Sequence, residues 1–256
     1  MTAVRTIGPY RIPRRSGSVA AYRQTRVALP MISPAVLVII VACVLVFILQ
    51  STALGQVIAT NLALSLAGLT QGRIWTVLTF GLLHGDFMHL FFNMLMLFFL
   101  GPRLEHRLGT QKFVAFYALS GLVAGIAFCI WVFLTGAVNV WVVGASGSLF
   151  GIYAMWALLW PEEHLLVWGL IPIKVKWLML ILVGGSVFML ATGGGAVAHQ
   201  AHLGGALGGL IWWYFTERRP PSRPPRRGDR GARRRMRIVK KAEDDRFSDI
   251  VGDLDD

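Results

Sequence analysis

Charge is scarce in this chain. Only 15% of its 256 residues are Asp, Glu, Lys or Arg, against 55% hydrophobic residues and a mean hydropathy of +0.60. That balance excludes an ordinary soluble domain and places the chain in lipid. Cysteine is nearly absent, and the two present, Cys43 and Cys129, lie inside apolar runs. Neither a disulfide framework nor a cysteine metal cluster is available, and no metal or cofactor is expected. The apolar segments hold no carboxylate except Asp86, which disfavours a proton-coupled transporter or an ion pathway.

What is there is a set of six apolar segments, at roughly 34–53, 84–101, 113–134, 144–160, 174–191 and 197–215. Each has about the length needed to cross ~30 Å of hydrocarbon at ~1.5 Å per residue. The first is too long for the core of a cleavable signal peptide and is read as a retained span. With both termini cytoplasmic, Arg103, Arg107, Lys112, Lys174, Lys176 and both basic ends fall inside, and only Arg73 falls outside. This positive-inside pattern supports six crossings. A seventh across 57–70 would break it, so that stretch is read as a semi-buried part of a long first outer loop.

The ends read as attachments. Residues 1–30 carry six arginines and no acid, and 217–256 run from a Pro- and Arg-rich stretch into an acidic block. Neither composition can bury a core, so disorder is expected at both cytoplasmic termini, flanking a six-span domain at 31–216. The net charge of +12 comes mainly from these ends. It implies orientation and attraction of the tail to anionic lipids, with no nucleic acid expected as partner.

Chemistry must come from polar groups within the spans: His84, His89 and Asn93 in span 2, Ser146 in span 4, and His199 and His202 in span 6. All lie in the first half of helices entering from the outer side, so three helices deliver polar groups to one depth. Ser146 stands in Gly144-Ala145-Ser146-Gly147. The flanking glycines allow a sharp bend, and a helix start offers N–H groups to an oxyanion, although a serine there also serves as a cap or packing site. Gly147 and Gly151 on span 4, and Gly204/Gly208 and Gly205/Gly209 on span 6, are small-residue pairs that permit close helix approach. If these surfaces meet, His202 can reach Ser146 as a general base. The alternative is a buried neutral histidine. His89 and Asn93 share one helix face and suit either oxyanion donation or interhelical hydrogen bonding.

These segments, together with Ala201-His202-Leu203-Gly204-Gly205 and Gly101-x-x-x-Glu105-x-x-x-Gly109, give the chain a resemblance to rhomboid intramembrane serine proteases over roughly residues 70–215. The resemblance implies an all-α membrane protein with a six-helix rhomboid bundle. It implies a Ser146–His202 dyad without an acid, with an oxyanion hole of His89, Asn93 and the Ser146 N–H. The implied activity is cleavage of transmembrane protein substrates within the bilayer. Two positions depart from the common pattern. Trp75 is followed by Thr76 where an arginine is usual, and Phe150 stands where a tyrosine often stacks on the histidine. A phenyl ring keeps the stacking and loses only the hydroxyl. An inactive, client-binding relative is the alternative function. A bacterial plasma membrane is the expected location.

Overall fold

The computed structural model describes residues 31–137, 140–167, 171–193 and 198–218. The N-terminal segment 1–30 and the tail from residue 219, where disorder and lipid attraction are expected, lie outside the described residues.

The described chain is dominated by helices. In order they are α1 (Pro34–Gln50), α2 (Gly55–Leu62), α3 (Leu66–Thr70), α4 (Thr76–Thr79), α5 (Phe87–Leu108), α6 (Thr110–Thr135), α7 (Ser146–Leu159), α8 (Val175–Thr192) and α9 (Ala198–Trp212). α5, α6 and α8 are long and apolar enough to cross a membrane by themselves, and α1 and α7 are apolar but shorter. α9 continues into a π-helical turn, Trp213–Glu217.

Two short antiparallel ladders qualify the all-α expectation. β1 (Leu64–Ser65) pairs with β2 (Trp141–Val142), and β3 (His164–Val167) pairs with β4 (Ile171–Lys174). The first lies within the apolar stretch 57–70, which is broken into α2, β1 and α3, none long enough to cross. Polar backbone groups that cannot join a helix must find partners, and strand pairing supplies them. Side chains finish the anchoring of this region: the Trp75 indole donates to the Asn61 carbonyl at 2.8 Å and the Thr79 hydroxyl to that of Leu62 at 3.0 Å.

Helix limits also differ from the hydropathy reading. α5 begins at Phe87 because Asp86, in extended conformation, caps it by accepting the His89 N–H at 2.8 Å. His84 therefore precedes the helix, a correction to its expected place inside span 2. At the other end α5 runs on through Pro102 to Leu108, carrying Glu105 into a buried position. There the Glu105 carboxylate accepts from the Ser33 hydroxyl, the Ala35 and Val36 N–H groups and the Thr110 hydroxyl. One side chain thus closes the start of α1 and ties it to α5 and α6.

The largest buried apolar cluster joins α1, α5, α6 and α7 around Leu97, Leu104, Phe113, Phe116, Ile152 and Met155, and small residues set the spacing where α6, α7 and α9 meet. Ser120, Gly121, Ala124 and Gly125 are all buried on α6. A Cβ at Gly121 would stand 2.7 Å from the Ser148 hydroxyl oxygen of α7, which itself donates to the Tyr117 carbonyl at 2.9 Å. Only Val175 and Ser186 are buried on α8.

Candidate active site

The chain leading into Ser146 is held before it arrives. β2 is pinned to β1, the Gly144 N–H donates to the Phe80 carbonyl at 2.9 Å, and the backbone then turns through Gly144 at φ +120°. L side chains rarely adopt that angle, and a Cβ there would stand 2.7 Å from the His89 imidazole. Glycine at 144 lets His89 close on the entrance to α7. Ser146 is the first residue of that helix, and no side chain caps its start. N–H donors and the positive end of the helix dipole therefore lie beside the hydroxyl.

His202 comes from α9. Its Nε2 lies 2.9 Å from the Ser146 Oγ. Phe150, one turn along α7, stacks flat on the imidazole, with ring centroids 4.2 Å apart and planes 8° apart. His199 meets the same ring edge-on at 6.0 Å. A hydroxyl hydrogen-bonded to an oriented imidazole nitrogen is the geometry from which proton transfer activates the oxygen.

That contact requires the backbones of α7 and α9 to come unusually close. A methyl on Gly205 would be driven into the Gly147 carbonyl oxygen, and one on Gly209 would stand 2.6 Å from the Gly151 carbonyl oxygen. Gly204 and Gly208 face α6 instead, at the Val123 carbonyl and the Ser120 backbone. The two overlapping glycine pairs of α9 serve two different neighbours, with α6 as well as α7 brought near.

α5 supplies the remaining polar groups. His89 lies between Gly144 on one side and the His84 ring on the other, the two imidazoles meeting edge-on at 5.1 Å and 71°. Asn93, one turn further along, is buried, and its side-chain NH₂ has no hydrogen-bond partner among the described residues. Thr76, at the position where an arginine is usual, is fully buried and donates to the Arg73 carbonyl at 2.7 Å. Among the described residues no group of three or more His, Cys, Asp or Glu is placed to hold a metal ion.

Sequence reasoning passed over Gln50. Its amide makes two bonds to the backbone of His84, donating to the carbonyl and accepting from the N–H, each at 3.2 Å. The available signal was an amide at the last position of an otherwise apolar helix.

A family model described as the rhomboid domain matches residues 71–219. The chain is 35% identical over 146 residues to RHOMBOID-like protein 5 of Arabidopsis thaliana, covering 55% of this chain and 43% of that protein. It is 29% identical over 184 residues to Rhomboid protease GlpG of Enterobacter sp. (strain 638), covering 69% of this chain and 61% of that protein. It is 27% identical over 185 residues to RHOMBOID-like protein 12, mitochondrial, of Arabidopsis thaliana, covering 67% and 55%. The chain thus spans between 43% and 61% of the length of these relatives.

Proposed function

The chain belongs to the rhomboid family, whose members are integral membrane proteins, and on that premise we propose that it is an intramembrane serine endopeptidase with Ser146 as nucleophile and His202 as general base. The observation that carries the reading is the 2.9 Å contact between His202 Nε2 and Ser146 Oγ. His202 accepts the hydroxyl proton as Oγ attacks the scissile carbonyl carbon. The resulting oxyanion is met by the Ser146 N–H, His89 and Asn93, a role that the lack of a partner for the Asn93 amide among the described residues supports. As the intermediate collapses, His202 returns the proton to the leaving amine and an acyl-enzyme remains on Ser146. Water, activated by the same imidazole, then releases the second product and restores the hydroxyl. Phe150 holds the imidazole plane throughout.

With six crossings, by α1, α5, α6, α7, α8 and α9 within 31–216, both termini share one side, and the distribution of basic residues favours the cytoplasmic side, in a bacterial plasma membrane whose anionic headgroups attract the basic tail. α7 has 14 residues, about 21 Å at ~1.5 Å per residue, against ~30 Å of hydrocarbon. A crossing helix that short starts below the outer surface, and Ser146 at its tip stands in a recess that water reaches from outside. The substrates are transmembrane segments. A helix shields its own carbonyls, so those with Gly, Pro or small residues near the outer end unwind for attack. Making such a segment strongly helical slows its cleavage, and unchanged cleavage counts against this selection. The decisive test is labelling by a serine-directed fluorophosphonate. Wild type is labelled and Ser146→Ala is not. Equal labelling of the two removes the hydrolase reading and leaves a client-binding relative.

A further inference from the structure

His89 is held from three directions. Gly144 closes one side of its ring, and His84 meets it edge-on. The Gly85 N–H donates to its Nδ1 at 3.5 Å. A backbone N–H can only donate, so this long contact favours Nδ1 as the acceptor and the ring proton on Nε2. Nε2 is the nitrogen a Cβ on Gly144 would meet at 2.7 Å, and that same Cβ would stand 3.7 Å from the Ser146 Oγ. The Cε1–Nε2 edge of His89 and the Ser146 Oγ therefore both adjoin Gly144.

The loop that imposes this is itself clamped. His84 is only 1% exposed, and its ring nitrogens make no hydrogen bond of normal geometry among the described residues, the Leu82 backbone being in reach for a weak one. What the ring presents to His89 is its aromatic edge, at 5.1 Å between centroids. Its backbone is fixed by the paired bonds from Gln50, at the end of α1. Fixing His84 on both backbone faces fixes the adjoining Gly85 N–H, and with it the nitrogen of His89 that must accept.

We propose that Gln50 and His84 are positioning residues that hold His89 in the tautomer and orientation from which Nε2–H donates to the anion formed at Ser146. The role rests on the reading of Ser146 and His202 as an active dyad, yet the tautomer is measurable without any turnover. Full-length protein carrying ¹⁵N-histidine in bicelles, with the His89 signals assigned by their loss in His89→Gln, reports which ring nitrogen bears the proton. Wild type shows the Nε2–H tautomer, and Gln50→Leu and His84→Ala show a mixture. In cleavage of a transmembrane peptide the same two variants lose between about 10-fold and 100-fold in kcat, the scale of a misplaced reacting group, with KM little changed. His84→Phe keeps the aromatic edge and recovers most of the rate, which a hydrogen-bonding role for the ring would not allow. A wild-type His89 protonated on Nδ1, or wild-type kcat in both Gln50→Leu and His84→Ala, overturns the proposal. Absence of phosphonate labelling in wild type sinks the hydrolase reading alone, since the ring spectrum still decides the tautomer.

Discussion

Glu105 and Asn93 are both buried polar side chains of α5, and they are treated in opposite ways. Glu105 accepts from two hydroxyls and two backbone N–H groups, while the Asn93 amide donates to nothing among the described residues. The same contrast runs through their surroundings. Around the Glu105 end, Arg103 pairs with Glu163 at 3.1 Å and lies over the Trp160 ring, Arg107 pairs with Glu217 at 2.9 Å, and Glu162 is bound by Lys174 and Lys176. Around the Asn93 end, the ring nitrogens of His84 and the Nδ1 of His199 are buried without a hydrogen bond of normal geometry among the described residues. An unsatisfied buried polar group costs roughly 1–3 kcal/mol, so a folded protein keeps several together only where something other than stability retains them. Among the described residues the Glu105 carboxylate is saturated and the Asn93 amide is bare, although Tyr117, Ser120 and Trp212 also carry unpartnered polar atoms away from the Asn93 end.

Asn93→Leu is the strongest way to break that contrast. It replaces a bare amide by an apolar group of similar size, so kcat falls by about 10²–10³, the value of one oxyanion donor, while the melting temperature does not fall. A marked loss of thermal stability with kcat intact shows that the amide is structural instead. Gly205→Val tests the approach that brings the two helices of the dyad together. Its branched side chain enters the Gly147 carbonyl and costs about 3 kcal/mol, with phosphonate labelling of Ser146 lost. Normal labelling at normal stability shows that α7 and α9 do not need to touch there.

Glu105→Ala probes the saturated end. Leaving the first N–H groups of α1 without their acceptor costs about 2 kcal/mol in detergent unfolding, and the folded fraction keeps its wild-type kcat. A large drop in kcat would make the two ends one functional unit. The smallest effect is expected at Glu162, whose carboxyl is held down to about 2 from 4.5 by hydrogen bonds from the Lys174 and Lys176 ammonium groups. A carboxyl lowered on folding contributes stability above its unfolded value and loses it as pH falls toward the folded one. Glu162→Gln therefore melts slightly below wild type near pH 7 and together with it at about pH 2, the gap being small because the group is exposed to screening solvent. A gap that persists at the lower pH removes the ion-pair explanation.

Much of the site was legible as residue types and very little of it as contacts. Ser146 between glycines, His202 before a glycine series, and His89 one turn from Asn93 stand out because polar groups are rare in apolar segments. Hydropathy, however, marks only where apolar residues run. It placed His84 within a span because a single acid does not interrupt the average, whereas the Asp86 cap, a local hydrogen-bonding event, starts the helix at Phe87. The same averaging ended the span near Gly101, although the helix continues to Leu108 with Glu105 saturated inside it. Gln50 was passed over because its partners are backbone atoms of His84, 34 residues away, and no local pattern encodes that pairing.

Composition alone determined that this chain belongs in lipid, and the spacing of its polar residues determined which side chains are available for chemistry, because both follow from local cost in hydrocarbon. Tertiary structure decided the rest. It set which glycine pair of α9 faces α7 and which faces α6. It also set the 2.9 Å approach of residues 56 positions apart and the contacts that surround the His89 ring. Each of these depends on the close fit of several helices at once, and such a fit is a property of the packed whole that no segment carries by itself.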